Sequence, residues 1–370
     1  MRILIVGGGV AGFALAKALD LRGITADLVE RQTGQPVGGT GLYLPGNATR
    51  AAGELGLLPE VSQRAAPIRM QKILDTRGRQ LNVVETEPVW RECGPCVALP
   101  RNDFQAILQN SLQLTNVRFG APVADIGQSA TGCEVKFADG TIENYDIVVG
   151  ADGVNSTVRR TVFSKEPPGY VGNVCWRFIT RNSVGIDCWT AMLGDGRTLL
   201  AIPVGQSDVY VYADMAVAAN AVEGFSDQSP LASLFAGFSA PVFPLIESLS
   251  RDANVHFGRI EQVQMTSWVN GRVILIGDAA HASSPSMAEG AGMALEDALV
   301  LADALAAESN VEAALAAYSL RRRPRVEWVQ KQCAARDKMR SLPGFVRIPV
   351  LKLLGSAMYK RSYAPLLEPI

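Results

Sequence analysis

"RILIVGGGVAGFALAKALDLRGITADLVE", residues 2–30, decides the fold of this chain. "RILIV" is a short β-branched run, the pattern of a strand covered on both faces. Gly7-Gly8-Gly9-Val10-Ala11-Gly12 follows, then "FALAKALDLRG" with apolar residues at helical spacing and Gly23 as the stop. "TADLVE" is a second strand that ends in Glu30. Gly7 permits a tight turn, Gly9 lets backbone approach a pyrophosphate, and Gly12 lets the helix lie close to the strand. The free N–H groups and positive end of the helix then face the phosphates, and Glu30 is placed to accept from ribose hydroxyls. A bare glycine pattern is weak evidence, but strand, turn, helix, strand and acid in this order are specific for a dinucleotide. The choice between NAD and FAD stays open at this point.

The bulk composition fits an ordered protein of one large domain or two sharing a core: 370 residues, 48% apolar, 19% charged, with 35 glycines. A net charge of −1 gives no reason to expect a nucleic-acid partner. The charge is uneven, since the segment from Arg321 to the end holds 12 Lys/Arg against 3 Asp/Glu, leaving about −10 for the rest. Six scattered cysteines match a reducing compartment and not a disulfide framework. No apolar run reaches spanning length, so stable membrane insertion is not expected and a cytoplasmic location is. With two histidines, His256 and His281, no metal cluster is expected.

Two further stretches bear on the dinucleotide. "YDIVVGADGVNSTVRR" (145–160) runs a strand into Ala151-Asp152-Gly153 and a helix. "GRVILIGDAAHASSPSMAEGAGMALEDALVLADAL" (271–305) is another buried strand, ending at Gly277-Asp278, with a helix from about Gly290. Strand ends of a parallel sheet converge on a ligand crevice. Asp278 there can accept from ribityl hydroxyls, and the bare amides of Gly290-Ala291-Gly292 can face an electron-rich heterocycle.

Together with "RNDFQAIL" (101–108), these motifs resemble the single-component FAD-dependent aromatic hydroxylases, the 4-hydroxybenzoate hydroxylase-like group, over roughly residues 1–325. The resemblance implies an α/β fold: a Rossmann-like FAD-binding domain, an inserted mostly antiparallel substrate sheet, and C-terminal helices. The expected division is 1–67, 97–164 and 269–330 for FAD, 68–96 and 165–268 for substrate, and 331–370 as a helical tail. It implies FAD contacts from Gly7, Gly9, Val10, Ala11, Gly12, Glu30, Arg31, Arg101 and Asp278, with Pro285 and 290–292 bordering the isoalloxazine. Val123 would present backbone to adenine. Asp152 would serve both FAD and the pyridine nucleotide, its plain alternative being a helix cap. The implied chemistry is hydroxylation of a small aromatic or heteroaromatic, phenol- or quinolone-like, through a flavin C4a-hydroperoxide formed from O2 after reduction by NADH or NADPH. The alternatives are a flavin-binding protein without hydroxylase turnover and a halogenase-type enzyme, whose W-x-W-x-I-P signature is absent here.

The chain departs from that pattern at Ala288 and Glu289, where the family carries Gly and Gln. Ala288 restricts the backbone, and a Glu289 carboxylate would oppose an anionic reduced flavin unless it is protonated or turned away.

Between residues 165 and 268 short alternating runs replace buried strands. "NVCWRFIT" (173–180), "DCWTAML" (187–193), "RTLLAIPV" (197–204) and "DVYVYADM" (208–215) read as antiparallel strands. Period-2 logic puts Tyr210 and Tyr212 on one face and Val209 and Val211 on the other. The two tyrosines, Arg197 and Met192 are the substrate-pocket candidates, with Arg177 weighed beside Arg197. Tyr210, Tyr212 and His281 are the candidates for proton handling, with a structural ring as the plain reading of His281. Cys93-Gly-Pro-Cys96 has the filling of a dithiol centre, but Pro100 follows too soon for the helix such a centre needs, and structural thiols are expected. The apolar, basic stretch 345–367 is expected to pack on the body, with peripheral membrane contact as its alternative.

Overall fold

The computed structural model describes residues 1–34, 40–250 and 253–370. β1 (Ile3–Val6) is buried along its whole length. It lies between β2 (Asp27–Glu30) and a parallel neighbour at Ile147–Gly150, which itself pairs in parallel with Val273–Leu275. With Asn116–Phe119 beside β2 and Val269–Asn270 at the far edge, six strands form one sheet, parallel except for that last pair. α1 (Val10–Asp20) returns across the sheet, nine of its residues buried. The glycine turn that makes this possible is sterically specified. Gly7 sits at φ +113°, where a Cβ would lie 2.5 Å from the Ala151 carbonyl oxygen. A Cβ on Gly12 would lie 1.9 Å from the Gly7 oxygen.

The second sheet has seven strands. In chain order these are β3 (Met70–Asp75), β4 (Gln80–Glu85), β5 (Gly169–Arg181), β6 (Trp189–Leu193), β7 (Arg197–Val204), β8 (Asp208–Ala216) and β9 (His256–Gln262). Their spatial order is β9-β5-β8-β7-β6-β3-β4, antiparallel at every pairing except β6 with β3. The strands expected from alternation therefore form, and Met70–Glu85 adds two more. One face packs Val209, Val211, Leu199, Met192 and Trp176 into a separate apolar core. The other face turns toward the parallel sheet.

Three helices complete the core. α2 (Gly290–Ala307) packs on α1, and α3 (Val311–Arg340) packs on α2. α4 (Gly344–Leu367) lies along β4. α2 and α3 are joined by ion pairs, fully buried at Arg322. Arg322 meets Glu296 at 2.6 Å and Asp297 at 2.8 Å, and Arg325 reaches Glu296 at 2.8 Å. Removing Arg322 would take the guanidinium from two buried carboxylates, a loss of about 3–5 kcal/mol.

Candidate active site

A cavity of about 880 Å3 lies between the C-terminal edge of the parallel sheet, the inward face of the seven-stranded sheet, and helices α3 and α4. Three helix starts open on it. Gly9, Val10 and Ala11 line it at the head of α1, Arg101 at the head of the helix Arg101–Asn110, and Gly290 and Ala291 at the head of α2. Their N-cap residues are Gly9, Pro100 and Glu289, and none of the three caps with a side-chain hydrogen bond. By contrast, the helix Thr157–Val162 is capped by Ser156, and α3 by Asn310. The free N–H groups and positive helix ends at the cavity therefore suit an anionic or electron-rich ligand. Nothing lies within 4 Å of where a Gly9 Cβ would stand, so the backbone there is open to a phosphate.

The remaining cofactor candidates divide by position. Asp278 and Pro285 line the cavity, and a Gly290 Cβ would stand 3.8 Å from Asp278 Oδ1. Glu30 accepts from the Gly8 N–H at 2.7 Å and the Gln32 N–H at 2.9 Å, which holds its carboxylate at the glycine turn. Arg31 is exposed just beyond it. Val123 is buried at the start of a three-stranded meander, opposite Phe137. Gly7, Gly12 and Gly292 serve close approach; a Cβ on Gly292 would fall 2.6 Å from Glu289 Oε2. Asp152 turns away from the cavity. It accepts from the Ser156 hydroxyl and from the N–H groups of Thr157 (2.6 Å) and Val158 (3.2 Å), the capping role, while its neighbours Ala151, Gly153 and Val154 line the cavity.

On the sheet side, Tyr210 and Tyr212 both line the cavity, as their parity predicts. Gly41 makes room for the first, because a Cβ there would stand 2.3 Å from the Tyr210 ring. Burial pushes the Tyr210 phenol up to about 12 against the pull of Arg177, and burial with Asp214 raises Tyr212 well above the ordinary phenol value. Both are therefore hydroxyl donors at neutral pH and not bases, which narrows their role to hydrogen bonding. The Tyr212 hydroxyl has no hydrogen-bond partner.

Arg177 and Arg197 part company. Arg177 stands opposite Tyr212 in the β5–β8 register and lines the cavity. Its Nε is buried without a partner, and no carboxylate pairs with its guanidinium among the described residues. Arg197 is on the far face, where it donates to the Leu234 carbonyl at 2.7 Å and lies over the Phe238 ring. Met192 is likewise buried in the far core. Neither is a pocket residue, because pairing of Leu200 with Tyr212 and of Met192 with Leu199 puts the residues at 192, 197 and 199 on the side opposite the tyrosines.

His281 is also displaced from its expected role. Its Nε2 lies 2.7 Å from Asp297 Oδ2, its ring packs against Trp268, and it does not line the cavity. Burial would raise Asp297, but His281 and Arg322 outweigh it and hold that carboxyl at about 2. His281 is thus a structural ring that helps fix the turn at Gly277, whose N–H also donates to Asp297 at 2.9 Å.

Sequence reading missed the helical wall. Leu351, Gly355, Tyr359 and Tyr363 of α4, with Arg336 of α3, line the cavity. Their i, i+4 spacing in α4 was the available signal. The cysteine pair behaves as structural. Cys93 contacts the Leu366 carbonyl, both thiols are free, and burial pushes Cys93 up to about 11 and Cys96 up to about 12.

Ala288 and Glu289 lie directly at the head of α2. Ala288 is the one non-glycine residue with positive φ among the described residues (φ 55°, ψ 32°). Glu289 is 2% exposed, and burial and Glu296 push it up to about 8 against the Asn47 hydrogen bond and the charges of Arg325 and Arg336. It is therefore neutral at pH 7, so the negative charge expected to oppose a reduced flavin is absent.

A parallel sheet with a glycine turn, three uncapped helix starts on one cavity and a second sheet roofing it define a dinucleotide-binding flavoprotein of the hydroxylase class. The family described as "FAD binding domain" matches residues 1–332, and the chain belongs to it. The aurachin C monooxygenase/isomerase of Stigmatella aurantiaca is 32% identical over 86% of this chain and 84% of that protein. The 2-heptyl-3-hydroxy-4(1H)-quinolone synthase of Pseudomonas aeruginosa is 31% identical over 90% and 87%. In fold, the crystal structure of Klebsiella pneumoniae HpxO complexed with FAD and uric acid superposes with a TM-score of 0.89, covering 100% of this chain and 97% of that one at 24% identity. The chain is an FAD-dependent monooxygenase. No helix among the described residues is long and apolar enough to cross a membrane.

Proposed function

We propose that this monooxygenase hydroxylates a small, largely apolar heteroaromatic that carries a carbonyl or hydroxyl oxygen, of the 4-quinolone type. The observation that carries the reading is Arg177, a guanidinium with no carboxylate partner among the described residues, beside two phenol donors and near the apolar side chains of Ile73, Val84, Trp189 and Leu200. A half-buried guanidinium whose Nε has no partner is costly unless a ligand completes it, and a polarised or ionised ring oxygen would do so. The name of the relative at 31% identity, a synthase of 2-heptyl-3-hydroxy-4(1H)-quinolone, supports the same class.

FAD would be held by the turn Gly9–Ala11, by Glu30, Arg31, Val123 and Arg101, and by Asp278, Pro285 and the Gly290–Gly292 amides. Its two halves would lie on the parallel-sheet region (1–67, 97–164, 269–330), with 68–96 and 165–268 supplying the substrate roof. Bound FAD supplies the redox chemistry, taking electrons from NADH or NADPH and delivering one oxygen atom of O2 to the substrate. The chain's own contribution is positional. Arg177, Tyr210 and Tyr212 orient the substrate oxygen, and Arg177 favours its ionised form, which makes the ring carbon more nucleophilic. The α3–α4 wall keeps water from the cavity.

Anaerobic reduction of the FAD holoenzyme by NADH or NADPH, followed by flavin bleaching with and without 4-quinolones, phenols and apolar controls, tests the reading. A severalfold acceleration by hydroxy- or oxo-heteroaromatics is expected. Acceleration by none of them, with FAD bound, would reject this substrate class.

A further inference from the structure

We infer that the outward face of α4 docks on an anionic lipid surface. From Gly344 to Leu367 the helix carries Arg347, Lys352, Lys360 and Arg361 and no acidic residue. One face is buried along Leu351, Gly355, Tyr359 and Tyr363. Off that face, Leu353 is 81% exposed, Leu354 53% and Val346 37%, and Phe345, in the first turn, is 81% exposed. Exposed large apolar residues elsewhere, such as Met1, Leu21, Leu114 and Ile142, are scattered through the chain and form no such cluster on one helix. Arg347 is turned inward, where it donates to the Arg340 carbonyl and meets Asp195 at the N-terminal end of the helix. Lys352, Lys360 and Arg361 are exposed and stand among these apolar residues, Lys360 in line with Leu353 and Arg361 with Leu354.

Exposed apolar residues interleaved with cations and no acid suit a helix at a membrane interface, with its apolar side chains between headgroups and its cations among anionic phosphates. A second copy of this chain is a poorer occupant. A two-fold pairing of this face would set Lys352, Lys360 and Arg361 against their own equivalents, with no acid in the helix to offset them. Met358 and Arg361 also line the cavity, so docking brings the cavity rim to the lipid surface. Entry of an apolar substrate from the bilayer rests on the proposed substrate class; docking does not.

The test is co-sedimentation of the FAD holoenzyme with vesicles of phosphatidylcholine alone and of equal parts phosphatidylcholine and phosphatidylglycerol, at low and high salt, without turnover. Binding confined to the phosphatidylglycerol vesicles and weakened by salt is expected. Lys352→Gln and Lys360→Gln should each weaken it about fivefold. Phe345→Ser with Leu353→Ser should abolish it while the flavin spectrum and melting temperature are kept. Equal binding to both vesicles, or none, would overturn the inference. So would a wild-type dimer in gel filtration that the Phe345→Ser/Leu353→Ser variant converts to monomer without any vesicle binding.

Discussion

The Asn47 side-chain amide donates to Glu289 Oε2 at 2.9 Å and to Glu296 Oε1 at 3.1 Å, so one amide bridges two buried carboxyl groups under the head of α2. Two negative charges so placed are unfavourable, and of the two carboxyls only Glu296 is bonded by Arg322 and Arg325. Glu289 is the member that keeps its proton. Its folded value of about 8 lies above the ordinary 4.5, so the native state binds the extra proton, and stability falls as pH rises between those values. Glu289→Gln removes this dependence. Urea unfolding at pH 6 and pH 9 should show the variant gaining on the wild type at the higher pH. The reduction potential of bound FAD should fall as pH passes about 8 in the wild type and lack that extra step in Glu289→Gln.

Arg177 trades stability for substrate binding. Arg177→Met fills similar space without a charge, so unfolding free energy is expected to rise by about 1 kcal/mol. Loss of a charge-assisted hydrogen bond worth about 1.5–3 kcal/mol should lower kcat/KM about 10- to 100-fold, with FAD affinity unchanged. A variant as active as the wild type would remove Arg177 from substrate recognition. Arg197→Met, on the far face, should leave kcat/KM within about twofold.

Ala288 adopts a left-handed conformation that costs an L-residue about 1–2 kcal/mol. Glycine adopts it freely but loses more chain entropy on folding, by about 0.4–1 kcal/mol. Ala288→Gly should therefore stabilise the protein by about 0.5–1 kcal/mol, read as a rise in the urea midpoint at constant slope.

Cys93 and Cys96 are held as protonated thiols, at about 11 and about 12. Thiol exchange runs through the thiolate, so neither is reactive at neutral pH. Cys93→Ser with Cys96→Ser should keep FAD binding and substrate-stimulated flavin reduction, and the wild type should show no dithiol reductase activity in an insulin-reduction assay.

Local spacing within the sequence determined the dinucleotide turn. Gly7 and Gly12 are needed because neighbouring backbone leaves no room for a Cβ, and a strand–turn–helix run shows that need by itself. Alternation likewise put Tyr210 and Tyr212 on a common face, since a strand's period is independent of what it packs on. Whether a residue of the next strand joins that face depends on cross-strand register. Counting back through the Gly205-Gln206-Ser207 turn pairs Leu200 with Tyr212, which already turns Arg197 away. Only the tertiary structure decided the rest. His281 became a structural ring because Asp297 and Arg322, far along the chain, close on it. Glu289 stays protonated because it is buried beside Glu296, against the Asn47 hydrogen bond, and α4 became a cavity wall because it folds back over β4. These are long-range contacts in a low-dielectric interior, where a distant partner decides whether a charge is kept, paired or lost.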